Sequence, residues 1–223
     1  MTSIAKFFQD GGNIMYVNLA ILVFALAVVA ERLVVLTSRL RLDEKKFLDA
    51  VENSVMGGNI DRAVKLCTIN DGAAAATVVH AALNQARLGA NAVGSAIDET
   101  LMEVKPRIQK RAGILFGIAN LATLIGLVGT VFGLIESFAA IGEAAPDQKS
   151  ILLTRGIAHA MNNTAFGLSI AVTCIFFHMI LSTLVRNLLA SVDHTAIRIE
   201  NILTRRRLEE EGREAAKSAP QAS

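Results

Sequence analysis

The chain has 223 residues, of which 52% are hydrophobic and 19% are charged, and its formal net charge is +2. This composition is too apolar for an ordinary soluble domain, so it indicates an integral membrane protein with some aqueous mass. The small net charge leads us to expect no nucleic-acid partner. Cys67 lies in an aqueous segment and Cys174 in an apolar one, which argues against a disulfide between them. No Cys/His cluster in the sequence indicates a metal site, and we expect no bound cofactor.

The first apolar run covers residues 14–36, which is long enough for a transmembrane helix. A cleaved signal peptide is the alternative interpretation, but it requires basic residues before the run. Only Lys6 precedes the run, whereas Arg32 lies near its end and further cations follow it, namely Arg39, Arg41, Lys45 and Lys46. The positive-inside rule therefore places the N-terminus outside and the chain from residue 40 onward in the cytoplasm.

Residues 37–111 form the predicted cytoplasmic part, and they are divided by turn signals such as Gly57-Gly58 and Asn70-Asp71-Gly72. The pattern predicts helices over residues 43–56, after Asn59, over 73–88 and over 91–111. We expect the last of these to be kinked at Pro106 and to run straight into the next membrane segment.

The central segment covers residues 112–141, and its first part, residues 112–135, carries no charge. That uncharged part alone would span about 36 Å at about 1.5 Å per residue. Gly113 and Gly117 are one helical turn apart, as are Gly129 and Gly133, and this spacing allows close helix packing in lipid. A narrow polar stripe accompanies these glycines, made of Asn120, Thr123, Thr130 and Ser137. The sequence thus predicts a helix inside a bundle.

A third apolar segment, residues 151–186, returns the chain to the inner side, and basic residues again mark its inner end. The predicted fold class is all-α, with three transmembrane helices, the N-terminus outside, the C-terminus inside and long second and third helices that extend into the cytoplasm. The complete division is an external N-terminus (1–13), helix one (14–36), a cytoplasmic domain (37–111), helix two (112–141), an external loop (142–150), helix three (151–186) and a cytoplasmic helix with a disordered end (187–223).

Several polar residues in the membrane segments admit two interpretations. Glu136 would be costly in mid-bilayer, and the interpretation that we favour places it at the outer interface. His159 is either a proton relay or a neutral, hydrogen-bonded histidine, and the second is the more common case. Thr130 either bonds its own backbone or lines a pore. Polar side chains on opposite faces of helix three indicate an oligomer, because three crossings cannot enclose every polar group.

Two motifs carry a resemblance to a known family: GLVGTVFGLIESFAAIG at residues 126–142 and RGIAHAMNNTAFGLSIA at residues 155–171. Together they resemble the MotA/TolQ/ExbB proton channel family, and the three-helix TolQ/ExbB type within it. The segment AMNNTAFGL, residues 160–168, resembles relatives that power gliding motility or other envelope motors more than it resembles ExbB of nutrient uptake.

The resemblance implies a motor subunit of the bacterial inner membrane. Five copies would surround two single-span partners of the ExbD/TolR type, and a partner aspartate would carry H⁺ or Na⁺ past Thr130 and Thr164. The resulting candidates for the ion pathway are Thr130, Thr164, Thr123, Asn120, His159 and Asn163. The candidates for helix packing are Gly126, Gly129, Gly133 and Gly167.

The chain departs from the family's usual pattern at several of these positions. The family usually has glutamate where this chain has His159, and proline where it has Thr123. Glu136 is not typical, and Asn162-Asn163 are more polar than the usual pair. The pore's charge is therefore expected to differ from that of its relatives.

Two alternatives to an ion-driven motor follow from the same residues. A membrane scaffold or passive channel would use the polar stripes only for packing or for a water pore. An intramembrane enzyme would need convergent catalytic groups, and the sequence has no Ser/His/Asp, paired-Asp or H-E-x-x-H arrangement. We therefore expect a protein that is not an enzyme.

Overall fold

The computed structural model describes residues 12–40, 42–70, 72–143 and 145–218, and these residues contain only α-helices and turns. The helices are α1 (Gly12–Leu40), α2 (Glu44–Met56), α3 (Ile60–Ile69), α4 (Ala74–Gln85), α5 (Ala90–Gln109), α6 (Ile114–Glu143) and α7 (Lys149–Ser218). The all-α prediction is confirmed. So is the number of membrane segments, because three stretches are long and apolar enough to cross a bilayer: Ile14–Thr37, Ala90–Gly142 and Lys149–Arg213.

The first of two compact units combines α1 up to Leu33 with Arg111–Ser182, and so contains α6 and the first half of α7. Its interior is made of apolar side chains from all three helices, including Met15, Leu115, Ala122 and Ile170. Many large apolar side chains point outward instead, among them Phe24, Phe116, Leu124, Phe132 and Phe176. An apolar exterior of this kind is expected of a unit surrounded by lipid or by neighbouring membrane helices.

The second unit comprises Val34–Lys110 and Thr183–Ser223, and contains α2 to α5 with the second half of α7. The predicted cap is present, because Asn59 Oδ1 accepts the N–H of Arg62 at 3.1 Å at the start of α3. Asp43 likewise accepts the N–H of Lys46 before α2. The core of the unit is filled by aliphatic side chains, including Leu48, Val51, Val78, Val79, Val192 and Ile199.

Ion pairs join the second half of α7 to its neighbours within this unit. Arg198 donates to Asp49 at 2.6 Å and to Glu52 at 3.0 Å, and these two carboxylates raise the pKa of its guanidinium. Lys105 pairs with Asp193 at 2.8 Å. The side chains are partly exposed, so each pair contributes at most about 1 kcal/mol, and its main effect is to fix which helix faces meet.

The predicted continuous helix from residue 91 into the membrane segment is wrong. α5 ends at Gln109, a turn covers residues 110–113, and α6 begins at Ile114. Pro106 lacks an N–H and so weakens the last turns of α5. Arg111 then adopts a positive φ of 64°, which ends helical geometry, and its Nη1 donates to Glu31 Oε1 at 2.5 Å.

The boundaries on the far side of α6 also differ from those predicted. α6 continues to Glu143 and α7 starts at Lys149, so the connection is shorter than the predicted loop 142–150. α7 runs without a break through residue 186, which is the expected continuation of helix three beyond its membrane segment. Most of the predicted N-terminal segment, residues 1–11, and the predicted disordered end, residues 219–223, lie outside the described residues.

The two cysteines are free and buried, and Cys67 has a thiol whose pKa is raised by burial from 9.0 to about 12. Because a thiol ionises readily only when hydrated, the folded protein should hold Cys67 as a neutral, unreactive thiol. The unfolded thiol ionises from about pH 9, so this group lowers stability only as the pH rises from about 9 to 12.

We predict that Cys67 resists alkylation until the second unit unfolds. In a Cys174→Ala variant, N-ethylmaleimide at pH 8 should react far more slowly with folded protein than with protein unfolded in sodium dodecyl sulfate. Three pKa units correspond to an about thousandfold smaller thiolate fraction. Equal reaction rates in the two states would contradict the buried placement of Cys67.

Candidate ion-pathway site

The close approach of α6 and α7 defines the candidate site. At Gly167, an added Cβ would lie 2.6 Å from the carbonyl oxygen of Ala122 and 3.0 Å from the Cα of Gly126. At Gly126, it would lie 3.1 Å from the carbonyl oxygen of Asn163. Real Cβ atoms essentially never come closer than 3.0 Å to another heavy atom, so Gly167 requires glycine for the two backbones to meet as they do. A Cβ at Gly126 would be unusually tight, and the backbone of α7 would have to move by a few tenths of an ångström.

The same contact continues toward the other end of α6. An added Cβ at Gly129 would lie 2.9 Å from Asn163 Cβ and 3.1 Å from a methyl of Ile14 in α1. At Gly133 it would lie 3.1 Å from the Cβ of Ala160. Gly126, Gly129 and Gly133 thus all lie on the face of α6 that meets α7.

The other predicted glycine pair is in a different situation. An added Cβ at Gly113 or Gly117 would have nothing within 4 Å in the described part of the chain. Within a single copy no described residue packs against this pair, so its close approach to another helix stays a prediction. The sequence spacing is the same in both pairs, but only the later pair faces small or flexible neighbours on α7.

Two threonine hydroxyls meet at the close approach. Thr164 Oγ1 lies 3.1 Å from the carbonyl oxygen of Gly126 and 3.4 Å from Thr130 Oγ1, and it can donate to either oxygen. Thr130 Oγ1 in turn donates to the carbonyl oxygen of Leu127 at 2.5 Å. Each hydroxyl has one proton and two lone pairs, so the pair retains unused acceptor capacity. Both side chains are half-buried and remain reachable from outside the chain.

Asn163 is placed one residue before Thr164 and is buried against Gly129. Its Oδ1 is buried and accepts no hydrogen bond from the described residues. Asn18 of α1, one turn beyond Ile14, is fully buried, and neither its Oδ1 nor its Nδ2 has a partner in that same part of the chain. A buried amide without partners is costly in an apolar interior, so both amides have capacity for a water or an ion.

Thr123 and Asn120 lie on α6 before this cluster. Thr123 donates its hydroxyl proton to the carbonyl oxygen of Ala119 at 3.1 Å, which is the local bond expected of a helical threonine. Asn120 is exposed. The structure does not bring either residue to the Thr130–Thr164 pair through a hydrogen bond.

His159 lies one turn before Asn163 on α7 and is half-buried. It lines a groove of about 230 Å³ between α6 and α7, together with Glu136, Ser137, Arg155 and Gly156. Gly156 is needed here, because an added Cβ would collide with the hydroxyl of Ser137. The groove therefore collects a histidine, a carboxylate and a guanidinium at one end of the α6–α7 contact.

His178 has a structural position. Its Nδ1 lies 2.9 Å from the carbonyl oxygen of Ala112, and a carbonyl can only accept, so Nδ1 carries a proton. Its Nε2 lies 3.3 Å from Ser182 Oγ, and its ring packs against Phe116 with centroids 6.0 Å apart. This histidine attaches α7 to the turn before α6.

The sequence interpretation did not identify the role of Asn18 or the Gly156–Ser137 contact. The signal for Asn18 was present, because it is the one strongly polar residue within the first apolar run. Chemically, the assembled site offers hydroxyl, amide and carbonyl oxygens but no carboxylate beside the threonine pair. The described residues also contain no group of His, Cys, Asp and Glu that would hold a metal ion.

This fold and site define a class of protein, namely a polytopic α-helical membrane protein in which two helices pack through glycines and carry hydroxyl groups at their contact. Residues 70–194 match the family model of the MotA/TolQ/ExbB proton channel family. The chain belongs to this family.

Curated relatives agree with this assignment. The chain is 27% identical to "Biopolymer transport protein ExbB" of Pseudomonas putida over 66% of its own length and 46% of that protein. It is 33% identical to "Biopolymer transport protein exbB1" of Vibrio cholerae serotype O1 over 43% of its length and 42% of that protein. It is 23% identical to "Putative biopolymer transport protein ExbB homolog" of Methanothermobacter thermautotrophicus, over 76% and 60% of the two chains. It thus spans only about half the length of these relatives.

The glycine contact makes a direct prediction for stability. Gly167→Ala should lower the free energy of unfolding by about 1–3 kcal/mol, because the new methyl group forces α6 and α7 apart. Gly117→Ala is the matched control, since a methyl group there meets open space. Unfolding in mixed micelles, followed by circular dichroism, measures both. Equal stability of the two variants would contradict the packing described here.

Proposed function

We propose that this protein is an ion-conducting subunit of a bacterial inner-membrane motor, which converts an ion-motive force into mechanical work at the cell envelope. The observation that carries the proposal is the hydroxyl pair Thr164–Thr130 beside the glycine contact. Family membership supports the same function, since the family is described as one of proton channels.

The chemistry of the site calls for a second component. A hydroxyl can relay a hydrogen bond, but threonine does not titrate near neutral pH, so the pair cannot store a proton by itself. We propose that a single-span partner of the ExbD/TolR type supplies a carboxylate opposite Thr130 and Thr164. One charge moving through 100 mV releases about 2.3 kcal/mol, which is the energy available for work in each step.

The proposed assembly is a ring of five copies around two partner helices. Large apolar side chains on the outside of the first unit provide the surfaces that lipid and neighbouring copies would cover. The proposed orientation has the N-terminus outside and the C-terminus inside, with residues 37–111 and 187–223 in the cytoplasm. The distribution of lysine and arginine around the apolar segments supports it.

The groove around His159 has a different set of charged and polar side chains from the one usual in the family. Where the family usually has a glutamate, this chain has the imidazole of His159, with Glu136 and Arg155 in the same groove. We propose His159, Asn163, Asn120 and Thr123 as further groups along the ion path, and either H⁺ or Na⁺ as the ion. Transport energisation, envelope integrity and gliding motility are the candidate processes.

We predict that the hydroxyl of Thr164 is required for ion flow. Thr164→Val preserves the shape of the side chain but removes its bonds to Gly126 and Thr130, so proton or sodium flux into proteoliposomes containing the co-expressed complex should fall by at least about tenfold. Thr164→Ser should retain flux. Thr130→Ala should behave as Thr164→Val does, with assembly intact in both.

Thr173→Val provides the matched control for these variants. Its hydroxyl also lies in α7, but it bonds only the carbonyl oxygen of Ser169 in its own helix. Its flux should equal that of the unchanged protein. Normal flux in both Thr164→Val and Thr130→Ala would remove these residues from the proposed path.

A membrane scaffold or passive channel is the second candidate function. It is favoured by the polar groups that bond only their own helix, namely Thr123, Ser137, Thr154, Ser169 and Thr173. Such bonds satisfy a hydroxyl in lipid without any transport role. Envelope work that persists after an ionophore collapses the ion gradient would favour this candidate over the motor.

The assembly itself yields the next prediction. Co-expression with a single-span, aspartate-bearing partner, followed by purification and native mass spectrometry, should give a complex of five copies with two partners. Purification of this chain alone serves as the control for its own ring size. A stable ring that never retains the partner would contradict the motor and leave the scaffold.

A further inference from the structure

A cavity in the second unit is lined by residues that have no part in the function proposed above. It has a volume of about 450 Å³, which is within the range of small-molecule sites. Its walls come from the start of α3, the turn between α4 and α5, and the last turns of α7. The charged side chains that line it are Asp61, Arg87, Arg206, Arg207 and Glu210.

The three guanidinium groups have unused donor capacity. Arg206 Nε donates to Glu210 at 2.8 Å, but its buried Nη1 has no hydrogen-bond acceptor among the described residues. Arg207 uses its Nε on Glu211 at 3.0 Å. Arg87 has no ion pair in the described part of the chain. A guanidinium has five N–H donors, so Arg87 and Arg207 both keep donors for a ligand in the cavity.

Gly89 brings one of these groups close to the cavity wall. It begins the turn into α5 with φ of 111°, a conformation that favours glycine, and an added Cβ would lie only 3.2 Å from Arg207 Nη1. The guanidinium of Arg207 can therefore lie against the backbone of the α4–α5 turn, opposite the start of α3.

The wall carries three guanidinium groups and two carboxylates, so its own charge is positive. Glu210 is paired with Arg206, and Glu211, which lies outside the wall, is paired with Arg207 through Nε. The other N–H groups of Arg207 and those of Arg87 remain available to a ligand, beside the carboxylate of Asp61. The first turn of α3 adds backbone N–H groups and a positive dipole end, since Asn59 caps only the N–H of Arg62. The cavity is thus an environment for an anion with several acceptor oxygens.

We propose that this cavity binds a phosphate group. Phosphate presents acceptor oxygens in the geometry that arginine forks match, and the volume leaves room for a small organic group attached to it. The source is a soluble phosphate compound. Arg206 lies 20 residues beyond Arg186 on the same helix, about 30 Å along its axis, and Arg186 marks the predicted inner end of the membrane segment.

The test uses the full chain in phosphatidylcholine nanodiscs, titrated with inorganic phosphate in an isothermal calorimeter. Arg87→Gln and Arg207→Gln should each weaken binding by about tenfold, the loss expected for one charge-assisted contact. Asp61→Asn should tighten binding, because it removes the opposing charge. Raising the salt concentration should weaken binding in every case.

Arg205→Gln is the matched control. Arg205 belongs to the same arginine triplet and makes the same kind of pair, with Glu209 at 3.4 Å, but it lines a different cavity beside Glu52 and Arg198. Its phosphate affinity should be unchanged. An equal loss of affinity in Arg205→Gln and Arg207→Gln would reduce the effect to general surface charge and overturn the site.

A second arm separates the two sources of phosphate. Changing the lipid to phosphatidylglycerol should lower the affinity for inorganic phosphate only by a small, salt-dependent factor, and this factor should be the same for the unchanged protein and for Arg87→Gln. If phosphatidylglycerol instead abolishes phosphate binding in the unchanged protein but not the residual binding of Arg87→Gln, the lipid headgroup occupies the cavity, and the soluble source is overturned. Absence of binding in both kinds of nanodisc would overturn the site itself.

Discussion

The backbone contact between α6 and α7 at Gly126 and Gly167 is the constraint on which the candidate site depends. In lipid, apolar side chains gain little by associating with one another, so helices associate through close packing and interhelical hydrogen bonds. The glycines allow the close packing. Thr164 supplies an interhelical hydrogen bond by donating to the carbonyl oxygen of Gly126. A bulkier residue at either glycine would separate the helices and, with them, the two threonine hydroxyls.

The elements themselves could be predicted from the sequence because their signals are local. Apolar runs locate the three membrane-capable stretches, and Asn59 caps α3 as its sequence position indicates. The turn at residues 110–113 could not be predicted, since it depends on Arg111 adopting a positive φ beside Glu31, a residue 80 positions earlier in the chain. Periodicity detects apolar faces, but it contains no information about such a distant partner.

The same distinction applies to the candidate site. The glycine spacing at Gly113 and Gly117 is identical to that at Gly129 and Gly133, yet only the second pair meets α7 closely. The spacing of the glycines shows that another helix can come close to α6 at that point. Whether a helix does come close depends on which residues of that helix lie opposite the glycines. Asn18 illustrates the converse, because its isolation in an apolar run was visible in the sequence, but its burial with both amide atoms unpartnered among the described residues required coordinates.

The polar groups of the first unit fall into two kinds, and this division bears on how such a protein could conduct ions. Thr123, Ser137, Ser169 and Thr173 satisfy their hydroxyls within their own helix, so their presence in an apolar segment costs little. Thr164 instead reaches across to α6, and buried Asn163 beside it retains an acceptor that the described residues do not satisfy. A buried acceptor without a partner, such as Asn163 Oδ1, is stabilised most by a bound water or ion. The unsatisfied acceptor beside Thr164 therefore lies at the α6–α7 contact, whereas Thr123 and Ser137 of the polar stripe along α6 are satisfied by their own helix.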